Sequence, residues 1–173
     1  IKHNYCRVKE LLKDASELLY KHHIPRHQRE AQLLFMSCFE VDELWLITHQ
    51  NSEIQDVEKF YVWIERRAKN EPYEYIVNKV SFYSEEFFID KGALIPRPET
   101  EILIDEVLKN IEDKNSFLTI VEVGVGSGII SIILAKHLPN AKIIAVDISN
   151  EALKIAKINI EKFGLKHRVE LRL

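Results

Sequence analysis

Ile120-Val-Glu122-Val-Gly124-Val125-Gly126-Ser127-Gly128-Ile-Ile-Ser-Ile-Ile-Leu-Ala135 is an apolar, β-branched run that breaks into alternating glycines and resumes as an apolar stretch of helical length. The pattern is strand, tight turn, helix. Glycines let the backbone approach a ligand where a Cβ would collide, and the start of the following helix offers unpaired N–H groups. Outward from this stretch, Lys142-Ile-Ile-Ala-Val146 is a second apolar run of strand length. It ends in Asp147, about 20 residues beyond Gly128, where a carboxylate can accept both hydroxyls of a ribose. Together the segments describe a βαβ unit that holds a nucleotide-like cofactor. A turn whose glycines serve only backbone geometry is the plainer reading, and it leaves Asp147 a coincidence.

The spacing separates two cofactor classes. A dinucleotide fingerprint requires G-x-G-x-x-G, but the position three after Gly126 is Ile129. What stands here is E-x-G-x-G-x-G, which resembles the first motif of S-adenosylmethionine-dependent methyltransferases. That resemblance implies Glu122 near the methionine end of the cofactor, Gly124, Val125, Gly126, Ser127 and Gly128 wrapped around it, and Asp147 on its ribose. A plainer role for Glu122 is to accept N–H groups of the turn itself.

Composition narrows the class further. With 24 basic and 27 acidic residues the net charge is −3, so no broad basic surface is available for direct nucleic-acid binding. No apolar run is long enough to span a membrane. Cys6 and Cys38 stand far apart with no C-x-x-C and no signal peptide, which reads as a reducing, cytoplasmic setting. His22, His23 and His27 lie near Pro25 without acids or cysteines around them, so no metal site is expected.

The first seventy or so residues read as helices. Val8, Leu11, Leu12, Ala15, Leu18 and Leu19 recur at helical spacing before Pro25; Ala31, Leu34, Phe35 and Cys38 mark a second helix, Leu44, Trp45 and Ile47 a short third, and Val57, Phe60, Tyr61, Ile64 and Ala68 a fourth ending near Pro72. Ser81 to Ile89 suits a hairpin about a polar centre at Ser84 to Glu86, and this hairpin is expected to join two domains. A helix follows Pro96-Arg97-Pro98, with Pro98 in its first turn. Strand 117 to 123, helix 127 to 137, strand 142 to 146, helix 151 to 163 and a strand beginning near Arg168 complete the chain. The expected class is α/β: a helical bundle over 1–75, a hairpin linker over 76–95, and over 96–173 the first half of a Rossmann-like class I methyltransferase domain.

Leu94-Ile-Pro96-Arg97-Pro98-Glu99-Thr100-Glu101 is similar to the signature of the HemK/PrmC protein-glutamine methyltransferases, and the approach to it, Arg66-Arg67-Ala68, Glu71-Pro72 and Tyr75-Ile76, matches that family's run. The resemblance implies S-adenosylmethionine as cofactor and class-1 peptide chain release factors as partners, methylated at the glutamine amide of their Gly-Gly-Gln loop. It also implies a helical domain that recognises the partner, and puts Pro96, Arg97 and Glu99 on the cofactor or substrate side of the site. Arg97 and Glu99 equally suit a solvated helix entry.

The family orients the reacting amide with an Asn-Pro-Pro-Tyr motif. The five prolines here are Pro25, Pro72, Pro96, Pro98 and Pro139, none adjacent, so the 173 residues carry no such motif and no catalytic residue is assigned among them. The expectation is therefore an inactive fragment of such an enzyme, with strand 117 to 123 left as an open edge. Two other classes stay open. A nicotinamide oxidoreductase shares the turn and Asp147 but not Ile129, and a non-catalytic S-adenosylmethionine-binding or interaction module fits the missing motif.

Overall fold

The computed structural model describes residues 5–173. The chain divides into two compact units, Ile1–Val77 and Asn78–Leu173.

The first unit runs β1 (Tyr5–Arg7), α1 (Val8–Lys21), α2 (His27–Phe39), α3 (Glu43–Thr48), β2 (Glu53–Gln55), α4 (Glu58–Ala68) and α5 (Tyr73–Val77). Val8, Leu11, Ala15 and Leu19 fall on one face of α1 and are buried. They close a core with Leu34, Phe35, Phe60 and Ile64, all fully buried. Of the apolar positions expected on α3, Trp45 packs against this core while Leu44 and Ile47 stand outward, and Leu46 is the buried residue. Three-residue β1 and β2 pair antiparallel, Cys6 opposite Ile54; they are too short to leave a periodic signal. The Arg66-Arg67 and Glu71 run builds the α4–α5 corner. Arg66 grips both Glu71 oxygens at 2.6 and 2.9 Å and the Tyr75 carbonyl at 3.2 Å, while Arg67 reaches Glu30 at 2.7 Å. Of the three histidines, His27 is bonded through Nδ1 to the Ser16 hydroxyl at 2.8 Å.

The second unit begins with a hairpin, β3 (Lys79–Phe82) and β4 (Glu85–Phe88), followed by α6 (Glu99–Asn110), β5 (Thr119–Val123), α7 (Ile129–His137), β6 (Lys142–Val146), α8 (Asn150–Lys162) and β7 (Val169–Arg172). The hairpin turns one residue earlier than its polar centre suggested. Tyr83 and Ser84 form the two-residue loop, with φ of 52° and 61°, as a type I′ turn demands. Glu85 and Glu86 instead lie in β4, where Lys136 pairs with Glu85, and Lys79 and Lys162 approach Glu86 at 3.7 and 3.6 Å. Phe82 and Phe87 are part of the second unit's own core.

β5, β6 and β7 form a parallel sheet in that order, with Ile120 opposite Ile143 and Ile144 opposite Glu170. This is the α/β arrangement of the Rossmann-like methyltransferase fold, strands linked by helical crossovers. α7 packs against α6, α8 and β6, so it is apolar nearly all round, with Ile129, Ile132, Ile133, Leu134 and Ala135 buried. Among the described residues β5 and β7 are the two edge strands of this sheet, and Val121 and Val123 on β5 are 61% and 82% exposed. α7 starts two residues later than expected, because Gly128 has φ of 84° and ends the turn outside helical geometry. No helix among the described residues is long and apolar enough to cross a membrane.

Candidate cofactor site

The glycine turn lies beyond the C-terminal end of β5, where open parallel sheets bind their ligands. The N–H groups of Gly124 and Val125 both donate to the Val146 carbonyl, at 2.8 and 3.0 Å, which pins the turn to the end of β6. A Cβ at Gly128 would stand 3.3 Å from the Cα and Cβ of Ala156, so this glycine lets α7 and α8 approach closely. A Cβ at Gly126 would meet nothing within 4 Å; the backbone there faces open space.

Two carboxylates serve the turn from neighbouring strands. Asp147 accepts the Gly126 N–H on Oδ2 at 3.0 Å and the Ser149 N–H on Oδ1 at 2.9 Å. Glu122, inward on β5, accepts the Ser131 N–H at 3.0 Å and the Ser131 hydroxyl on the same oxygen. Ser131 is fully buried in the first turn of α7, where Gly128 has no side chain to cap the helix, so the Glu122 carboxylate caps it from the adjacent strand. Burial nevertheless pushes the Glu122 carboxyl up to about 7, against the Ser131 hydrogen bonds and with a smaller push from the Asp147 charge.

A cleft of about 240 Å³ opens beside the turn, and Pro96, Arg97 and Thr100 line it together with Glu122, Gly126 and Ile130. Gly124, Val125 and Ser127 line it as well. The fold thus brings two motifs far apart in sequence to one cavity. Gly128 is buried at the helix start, Glu99 is exposed in the first turn of α6, and Asp147 reaches the turn through Gly126 from the end of β6. Glu101 of the same segment has another task, accepting the Tyr83 N–H in the hairpin turn at 2.9 Å. A larger recess of about 410 Å³, lined by Thr119, Lys142, His167 and Arg168, lies at the opposite, N-terminal ends of the strands and holds neither motif.

Sequence reading missed Ser131 and Asn159. Both left a signal, a lone polar residue inside an apolar stripe: Ser131 between Ile129 and Ile132, and Asn159 in line with Ala152, Ile155 and Ala156.

Residues 10–77 match the PrmC N-terminal domain, and residues 114–173 match a methyltransferase domain. A release factor glutamine methyltransferase of Dictyoglomus turgidum is 43% identical over 82% of this chain and 50% of its own length. One of Clostridium botulinum is 38% identical over 94% of this chain and 58% of its own. A bifunctional methyltransferase of Rickettsia conorii is 34% identical over 96% of this chain and 36% of its own. The chain therefore spans about half the length of the release factor glutamine methyltransferases it matches. The chain thus joins a PrmC N-terminal domain to a methyltransferase domain, and over most of its length it is similar to release factor glutamine methyltransferases.

Proposed function

We propose that the whole protein transfers a methyl group from S-adenosylmethionine to the glutamine side-chain amide in the Gly-Gly-Gln loop of class-1 peptide chain release factors. The observation that carries this reading is the shared cleft, lined by Pro96 and Arg97 together with Glu122 and the glycine turn. A helix N-terminus is ordinarily a phosphate site. At α7 the Glu122 carboxylate already occupies it, which disfavours a pyrophosphate and suits a cofactor with cationic amino and sulfonium groups. The open side of Gly126 admits close backbone approach, and Asp147 keeps lone pairs for ribose hydroxyls after accepting Gly126 and Ser149.

When bound, S-adenosylmethionine supplies an activated methyl, so the demand on the protein is to position the amide. An amide nitrogen is a poor nucleophile because its lone pair is delocalised, and it must be held in line with acceptors on its N–H groups. The 173 residues furnish the cofactor side of that arrangement; the acceptors are those of the family's Asn-Pro-Pro-Tyr motif. The helical unit recognises the release factor, and the place of action is the cytoplasm, without direct nucleic-acid contact. Calorimetric titration with S-adenosylmethionine and with NAD, and radiolabelled methyl transfer to a release factor by the whole protein, test the reading. Binding of NAD in preference, or no transfer by the whole protein, would reject it.

A further inference from the structure

β4 meets α8 along its outer edge. In a hairpin closed by a two-residue turn, the Phe82–Glu85 and Val80–Phe87 pairs exchange the ladder bonds, and the Ser81–Glu86 and Lys79–Phe88 pairs do not. The polar backbone groups of Glu86 and Phe88 therefore point away from β3. α8 satisfies them with side chains. Lys162 Nζ donates to the Glu86 carbonyl at 2.6 Å, while Asn159 accepts the Phe88 N–H at 2.7 Å and donates to the Phe88 carbonyl at 2.9 Å. The Asn159 amide stands where the peptide of a further strand would.

Asn159 is fully buried, and Nδ2 also donates to the Ser127 carbonyl at 2.8 Å. That carbonyl is the group to which the Ser131 N–H would bond if α7 continued back through the turn, four residues being the helical interval. Ser131 instead gives its N–H to Glu122. One side chain from β5 and one from α8 thus replace a single helical bond and hold the turn open at Ser127, which lines the cleft.

We propose that Asn159 is a positioning residue for the glycine turn: it holds the Ser127 carbonyl out of helical register and ties it to the Phe88 edge of the hairpin, so that occupancy of the cleft and order of the hairpin are coupled. The proposal rests on the cofactor reading above. Coupling of this kind is reciprocal. A ligand that fixes the turn stabilises the Asn159–Phe88 bonds, and loss of those bonds loosens the turn against the ligand.

The test is amide hydrogen exchange of the protein with and without saturating S-adenosylmethionine, alongside calorimetry of two variants. The ligand is expected to slow exchange at Phe88 more than at Val80 and Glu85 in the same hairpin. Asn159→Ala is expected to weaken binding about tenfold, the effect of roughly one buried hydrogen bond. Lys162→Ala removes the other tie between α8 and β4 without touching Ser127, and is expected to leave affinity within about twofold. Asn159→Ala binding as tightly as wild type would overturn the coupling. Where Asn159→Ala does not fold, the wild-type exchange decides: equal slowing at Phe88 and Val80, or none at Phe88 while the ligand binds, overturns it too. No binding by wild type removes the cofactor reading itself and this proposal with it, a result distinct from binding with an unresponsive Phe88.

Discussion

Asp147 Oδ2 lies 3.0 Å from the Gly126 backbone nitrogen and accepts its N–H, so the acid that ends β6 is fastened to the turn that follows β5. A second bond, from the Ser149 N–H to Oδ1 at 2.9 Å, sets the plane of the carboxylate. The group is oriented before any ligand arrives. Asp147→Ala is expected to weaken S-adenosylmethionine binding by about 1.5 to 3 kcal/mol, the range for hydrogen bonds to a charged group. Calorimetry giving equal affinity for variant and wild type would withdraw Asp147 from the cofactor.

Glu122 sets a pH dependence of stability. Its carboxyl is raised by burial from 4.5 to about 7, so between those values the unfolded chain ionises while the folded protein keeps the proton. The unfolded state then holds fewer protons, and stability falls as pH rises through this window. Glu122→Gln lacks the titration. Its stability relative to wild type is expected to grow by as much as about 3 kcal/mol from pH 5 to pH 8. Urea unfolding at several pH values checks this, and parallel profiles would contradict it.

The glycines of the turn are expected to separate stability from binding. Gly128→Ala puts a methyl 3.3 Å from Ala156 at a φ of 84° and is expected to destabilise by about 2 to 4 kcal/mol. Gly126→Ala meets no atom within 4 Å, so its stability loss is confined to backbone strain of about 1 to 2 kcal/mol. Its methyl projects into open space beside the turn, and ligand affinity is where it should register. Denaturant midpoints and calorimetry on the two variants would show the opposite order if the roles were reversed.

The helical unit has its own core, built around Phe35, Phe60 and Leu34. Deleting residues 1–77 from the whole protein is expected to raise KM for the release factor far more than it changes the Kd for S-adenosylmethionine. Unchanged turnover on an intact release factor would assign the unit another task.

A polypeptide of these 173 residues alone is expected to transfer no methyl group, since no Asn-Pro-Pro-Tyr stands among them. Val121 and Val123 on the β5 edge favour self-association of such a polypeptide through an apolar strand. Radiolabel incorporated into a release factor above a no-enzyme control would place the amide-orienting groups within this chain.

What the sequence determined was periodic or composed of rigid local types. The helical stripes of α1 and α4, β6 at 142–146, and the alternating glycines ahead of an apolar helix follow from backbone preference and from the need to bury one face. Departures came where neighbours outweighed local preference. Tyr83 and Ser84, neither a glycine, take the left-handed turn because strand register and the Glu101 carboxylate hold it there, and Leu44 and Ile47 face outward because Leu46 fills the core. Only the tertiary structure decided that the P-R-P-E-T-E segment and the glycine turn share a cleft, that Glu122 caps α7 through Ser131, and that Asn159 joins Ser127 to Phe88 across 71 residues of separation from the hairpin. The physical reason is that a hydrogen bond between distant segments leaves no period in the chain. Burial compels each polar group to find a partner, but which partner depends on how the sheet and helices bring those segments together.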